Sequence, residues 1–116
     1  MKVKVKISIV NNNDESFMGI GLIWLLGKIK ELKSIRKAAI DMDMSYAKAH
    51  RILKRLEKNI GQKILITRTG GPGGGGATIT PFAEELIKKY DDCQKKVKNY
   101  ADDEFTRLLK ELNLNI

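Results

Sequence analysis

The sequence predicts a mainly α fold with a small β part, on three observations. Two short amphipathic segments, each opened by a serine, flank a break at Asp43-Met44. Two short β-prone runs then enclose a glycine-rich stretch, and an unbroken helical pattern follows from Pro81. That order is a winged helix-turn-helix with a long C-terminal dimerisation helix. A chain of 116 residues has room for one such domain. The expected parts of domain 1–116 are a helix-turn-helix at about 34–59, a wing at about 64–80 and a dimerisation helix at about 81–112.

Each element has a local reason. Lys2, Lys4 and Lys6 alternate with Val3, Val5 and Ile7, which predicts a half-buried strand whose lysines guard an edge. Asn11 to Asp14 is turn-like, and Ser16 is placed to cap a helix from about Phe17 to Leu32. Apolar residues of that helix cover more than one face, so one side is free to meet another subunit through Phe17, Ile20 and Trp24. Ser34 caps a segment with Ile35, Ala38, Ala39 and Met42 at helical spacing, and the two alanines permit a close helix crossing. Ser45 caps a third helix to about Asn59, striped by Ala49, Ile52, Leu53 and Leu56, with Gly61 as its C-terminal cap.

Ile64 to Thr67 and Ala77 to Thr80 read as paired strands around Gly70–Gly76. Thr80-Pro81, with Glu84 and Glu85 behind it, opens the last helix. Its stripe passes through Tyr90, Cys93, Val97, Tyr100, Phe105 and Leu108, too long for one small core to bury. Tyr90, Val97, Tyr100, Phe105 and Leu108 are therefore expected to meet the partner of a homodimer, and Cys93 is read as a small core residue.

Charge locates the function. The chain carries a formal +8, and residues 28–63 alone hold eleven Lys and Arg against four Asp and Glu. Residues 81–116 are nearly balanced, with seven bases and eight acids. A basic window that coincides with a helix-turn-helix points to double-stranded DNA. On the third helix Arg51 suits a bidentate bond to guanine, while Tyr46, Lys48 and His50 reach bases or phosphates. Lys54 and Arg55 suit phosphates. Ser34, Ser45 and Ala47, at the helix starts, complete this DNA-binding set, with Arg68, Gly71, Gly73 and Gly74 in the wing.

Other chemistries fit poorly. A phosphate-cradling nucleotide loop needs Lys then Ser or Thr after its last glycine, whereas Gly76 precedes Ala77 and Thr78. The single His50 and single Cys93 cannot close a zinc site, and no nucleophilic triad is detectable. No enzymatic activity, cofactor, metal or small-molecule pocket is expected. No membrane segment or secretory signal is evident either, and the lone cysteine suits a reducing cytoplasm. A DNA-coating architectural or adaptor protein shares the same charge and is the alternative.

Ser34-Ile35 with Ala38-Ala39, Ser45-Tyr46, Ala49, Gly61, Leu65, Arg68, Gly70-Gly71 and Gly73 to Ala77 carry a family resemblance. Over about residues 17–98 the chain resembles the N-terminal DNA-binding domain of the ModE-like molybdate-responsive transcription regulators, and more distantly the LysR-type winged helix. The resemblance implies a dimer held by the first and last helices, with recognition helix and wing on palindromic DNA. The family's Ser-Tyr-Lys-x-Ala-Trp is altered here, with Ala47 in place of Lys and His50 in place of Trp. A different operator is implied. The oxyanion-sensing domain of larger members is not expected within these residues.

Overall fold

The computed structural model describes residues 2–70 and 75–114. The elements run β1 (Ser8–Val10), β2 (Ser16–Gly19), α1 (Ile20–Leu32), α2 (Ile35–Asp41), α3 (Tyr46–Ile60), β3 (Leu65–Arg68), β4 (Gly76–Ile79) and α4 (Pro81–Glu111). β1 pairs with β2 and β3 with β4, each as an antiparallel two-stranded sheet. The molecule is a winged helix-turn-helix with a long last helix.

α1 is the hub. Its Leu25, Leu26 and Ile29 are fully buried, and it packs against α2, α3, α4, β2 and β4. Burying a side chain of this size contributes roughly 1.5–3 kcal/mol relative to exposure. Ala38 and Ala39 of α2 and Ala49, Leu53 and Leu56 of α3 close the core around it. The small alanines let α2 and α3 approach. Between these helices the chain reverses at Asp43, whose φ of 54° lies in the left-handed region. The amides of Met42 and Met44 return to carbonyls of α2, so the turn leaves few donors orphaned.

The caps are where local chemistry places them. Ser34 accepts a hydrogen bond from the Lys37 amide and Ser45 from the Lys48 amide, each at 3.1 Å. Gly61 ends α3 at φ 73°. Thr80 accepts from the Ala83 amide at 3.1 Å, and Pro81 takes the first helical position of α4.

Three expectations are corrected. Ser16 does not cap α1: it belongs to β2, and α1 starts at Ile20 after Gly19, without a side-chain cap. The reason lies in Asn11, whose side-chain oxygen accepts from the Asn13 and Glu15 amides at 2.9 and 3.1 Å. Asp14 stands at φ 61°, and the closed turn folds Ser16–Gly19 back onto β1. Second, Lys2–Ile7 forms no ladder, although Val3, Val5 and Ile7 are half-buried while the lysines between them are exposed. Third, Cys93 is exposed rather than in the core. α4 turns Ala83, Leu86, Ile87 and Tyr90 inward, and continuing that face leads to Gln94, which leaves position 93 outside.

Beyond Tyr90 no residue of α4 is buried, so its distal half projects from the domain and stretches the molecule to 66 Å.

Thr80 also donates its hydroxyl to the Lys63 carbonyl at 2.7 Å, tying the start of α4 to the start of the wing. Thr80→Ala removes cap and tie together. We expect it to lower unfolding stability by about 1–2 kcal/mol in urea denaturation. An unchanged midpoint would remove Thr80 from this role.

Candidate nucleic-acid interface

α3 presents two faces of opposite character. Ala49, Leu53 and Leu56 point into the core, and Tyr46, Ala47, Lys48, His50, Arg51, Lys54, Arg55 and Lys58 are exposed. Lys54 meets Glu57 at 3.5 Å, but Lys48, Arg51, Arg55 and Lys58 have no carboxylate partner among the described residues. α4 is built differently. Its Lys95, Lys96, Lys98 and Arg107 each pair with an Asp or Glu three or four residues away. The positive field is therefore concentrated on α3, while α4 largely neutralises itself.

The exposed face of α3 lies between two hairpins. On one edge, Tyr46, His50 and Lys54 line an open groove whose other wall is Thr67, Arg68 and Thr69 of the wing. On the other, Arg55 and Lys58 share a groove with the β1–β2 tip, Asn11 to Asn13. Asn11 donates to the Asn59 side chain at 3.0 Å and fixes that tip against the end of α3.

The wing is held to α3 by one carboxylate. Glu57 accepts from the amides of Ile64 and Leu65 at 2.9 and 3.4 Å. Burial acts to raise its pKa, yet the two amides and Lys54 outweigh that and hold it below the ordinary 4.5. At the outer end, Arg68 pairs with Gly76, where an added Cβ would stand 3.0 Å from the guanidinium and 3.2 Å from the Lys33 carbonyl. At Gly75 it would stand 2.5 Å from the Arg68 carbonyl. Glycine permits this approach.

The positions predicted from sequence largely converge. Tyr46, Ala47, Lys48, His50, Arg51, Lys54 and Arg55 share one exposed helix face, with Ser45 at its head and Arg68 across the groove. Ser34 stands at the head of α2, its hydroxyl oxygen engaged as a cap. Gly71, Gly73 and Gly74 lie outside the described residues. Of the residues predicted to meet a partner subunit, Trp24 and Tyr100 are 61% and 69% exposed, and Val97 and Leu108 are also exposed. Phe17, Ile20 and Phe105 are half-buried. Tyr90 is different: it is buried in its own domain, with its hydroxyl donating to the Ile7 carbonyl at 3.3 Å, so it offers almost no surface to a partner.

Sequence reasoning missed Arg36. Its guanidinium lies 5.3 Å from the centroid of the Tyr46 ring, which stacks on His50 with centroids 5.9 Å apart. Arg36 belongs to α2, and no spacing along one helix connects it to α3. Its place in the basic window was the only available signal.

A family model described as bacterial regulatory helix-turn-helix protein, lysR family, matches residues 23–84, which contain α2, α3 and the wing. The chain belongs to this family. It is 37% identical over 67 residues to the transcriptional regulator ModE of Haemophilus influenzae, covering 58% of this chain and 26% of that protein. With the molybdenum transport protein ModE of Herbaspirillum seropedicae it shares 31% identity over 91 residues, covering 78% and 32%. With the DNA-binding transcriptional dual regulator ModE of Escherichia coli it shares 39% over 70 residues, covering 60% and 26%. The chain thus spans about a quarter to a third of the length of these relatives. Among the described residues no helix is long and apolar enough to cross a membrane.

Because the fold favours ionised Glu57, its contribution is complete above the ordinary carboxylate value and is lost as pH falls through the lowered one. Glu57→Gln should cost about 1–2 kcal/mol near neutral pH, and the gap from the parent chain should close on acidification. Denaturant titrations across the acidic range check this. A gap independent of pH would contradict it.

Proposed function

We propose that this lysR-family protein is a homodimeric, sequence-specific DNA-binding transcription regulator of the cytoplasm, without catalytic activity. The first turns of α3 enter the major groove, and the β3–β4 wing lies on flanking backbone or in the minor groove. The observation that carries this reading is the row of exposed cations on α3, of which Lys48, Arg51, Arg55 and Lys58 have no carboxylate partner among the described residues, backed by the buried Ala49, Leu53 and Leu56. A helix fixed on one side and cationic on the other can lie in a groove at low ordering cost. Family membership and similarity to the DNA-binding transcriptional dual regulator ModE of Escherichia coli support the reading.

Roles follow from position. Arg51, in the second turn, suits a guanine edge. Tyr46, Lys48 and His50 lie near bases or phosphates, and Lys54, Arg55, Lys58 and Arg68 suit phosphates. Ser34 and Ser45 accept from amides as caps, and each hydroxyl keeps a proton to donate to phosphate. Ala47 leaves room for close approach beside Arg51.

The dimer reading rests on Trp24 of α1 and on Val97, Tyr100 and Leu108 of α4, large apolar side chains that the described residues leave exposed. Phe17, Ile20 and Phe105 would contribute what remains of their surface. Covering such a stripe with its copy removes the apolar area a projecting helix would otherwise leave in water. Sedimentation should therefore give a dimer at micromolar concentration, and Tyr100→Glu with Leu108→Glu should shift it to monomer. A parent chain that sediments as a monomer would contradict this.

Affinity for a labelled duplex should fall by roughly 0.9 log unit per log unit of salt for each phosphate neutralised. Salt-independent binding would sink the DNA reading. Arg51→Ala should weaken a preferred duplex by about 1–3 kcal/mol and a random duplex much less. Equal losses on both would move Arg51 to the phosphate contacts.

A further inference from the structure

Nothing in the family match or in the cation row gives Arg36 a role, yet its surroundings are specific. Arg36 is exposed on α2, has no carboxylate partner among the described residues, and sits over Tyr46, the first residue of α3. Tyr46 is 44% exposed and stacks on His50, one helical turn on, at an interplanar angle of 28°. The Tyr46 ring thus contacts a guanidinium from α2 and an imidazole from its own helix. It bridges the two helices of the motif at the end of α3 proposed to enter the groove.

We propose that Arg36 is a positioning residue that sets base preference through Tyr46. An exposed tyrosine at a helix start has free rotamers, and ordering it on DNA costs affinity. A ring that already lies against a guanidinium from α2 and an imidazole from α3 has less freedom left to lose. Its hydroxyl and its edge then address a single base step. The attraction between Arg36 and the ring strengthens when DNA excludes water from it. Lysine replaces the charge but not the planar group that lies flat against a ring. The inference rests on the DNA reading of α3 and adds a residue outside that helix.

The test measures binding of the full chain to the duplex the parent chain prefers, to single-base variants of that duplex, and to a random duplex. Arg36→Ala should lower affinity for the preferred duplex by roughly 3- to 10-fold, between the values of an exposed and a fully desolvated cation–π contact. It should relax discrimination at the same base step as Tyr46→Leu does. On the Tyr46→Leu background the same change should have little further effect, because its route is gone. Arg36→Lys should restore only part of the discrimination, and the salt slope should stay at the parent value in both Arg36 variants. Thermal melting of each variant checks that the fold is kept, as expected for an exposed side chain.

The proposal is overturned if Arg36→Ala weakens all duplexes equally, lowers the salt slope by about 0.9 and is fully rescued by lysine, the pattern of a phosphate contact. Additive losses in the double variant also overturn it. A parent chain that does not discriminate among duplexes overturns the reading of α3 itself, and this proposal with it. That failure is visible before any variant is made.

Discussion

Three backbone positions, Lys63 to Leu65, join α3, the wing and the long helix. The Glu57 carboxylate accepts the Ile64 and Leu65 amides, the Thr80 hydroxyl donates to the Lys63 carbonyl, and the Thr80 amide donates to the Ile64 carbonyl at 2.9 Å. Ile64 itself is fully buried. If this junction loosened, the wing would lose its angle to α3 and α4 would lose its root. The groove between Tyr46, His50 and Arg68 exists because a carboxylate and a hydroxyl hold a short stretch of chain still.

The electrostatics follow from the same architecture. Four acids within α4 answer four of its seven bases at helical spacing, which would lower the like-charge penalty in the proposed dimer. On α3 the stripe of alanine and leucine leaves no inward room for charge, and the outward positions carry bases with few acids among them. Lys28 of α1 reaches Asp41 of α2 at 2.8 Å, and Lys30 of α1 reaches Glu84 of α4 at 3.3 Å. Neither Lys28 nor Lys30 lines the grooves beside α3, so these acids answer bases away from it. What remains unanswered is what a polyanion would meet.

Much of this was legible residue by residue. Ser34, Ser45, Gly61 and the Thr80-Pro81 pair act within one helical turn of themselves, so their roles survive any tertiary arrangement. The cation row of α3 was legible because its period is that of one helix. Ser16 failed because a closer interaction, the Asn11 turn, competes for the same chain and wins. Cys93 and Tyr90 depend on how far the core extends along α4, which its own periodicity does not reveal. Arg36 over Tyr46, Asn11 on Asn59 and Glu57 under the wing join residues from separate elements, and only the packing of α1 against its neighbours brings them together.

The central proposal is that α3 reads base sequence from a two-fold symmetric particle. Selection of the full chain on a library of random duplexes tests this most directly. Enrichment of one motif as two inverted half-sites, centred about one or two helical turns apart, is expected. Enrichment of no motif, with binding that depends on salt alone, would contradict it.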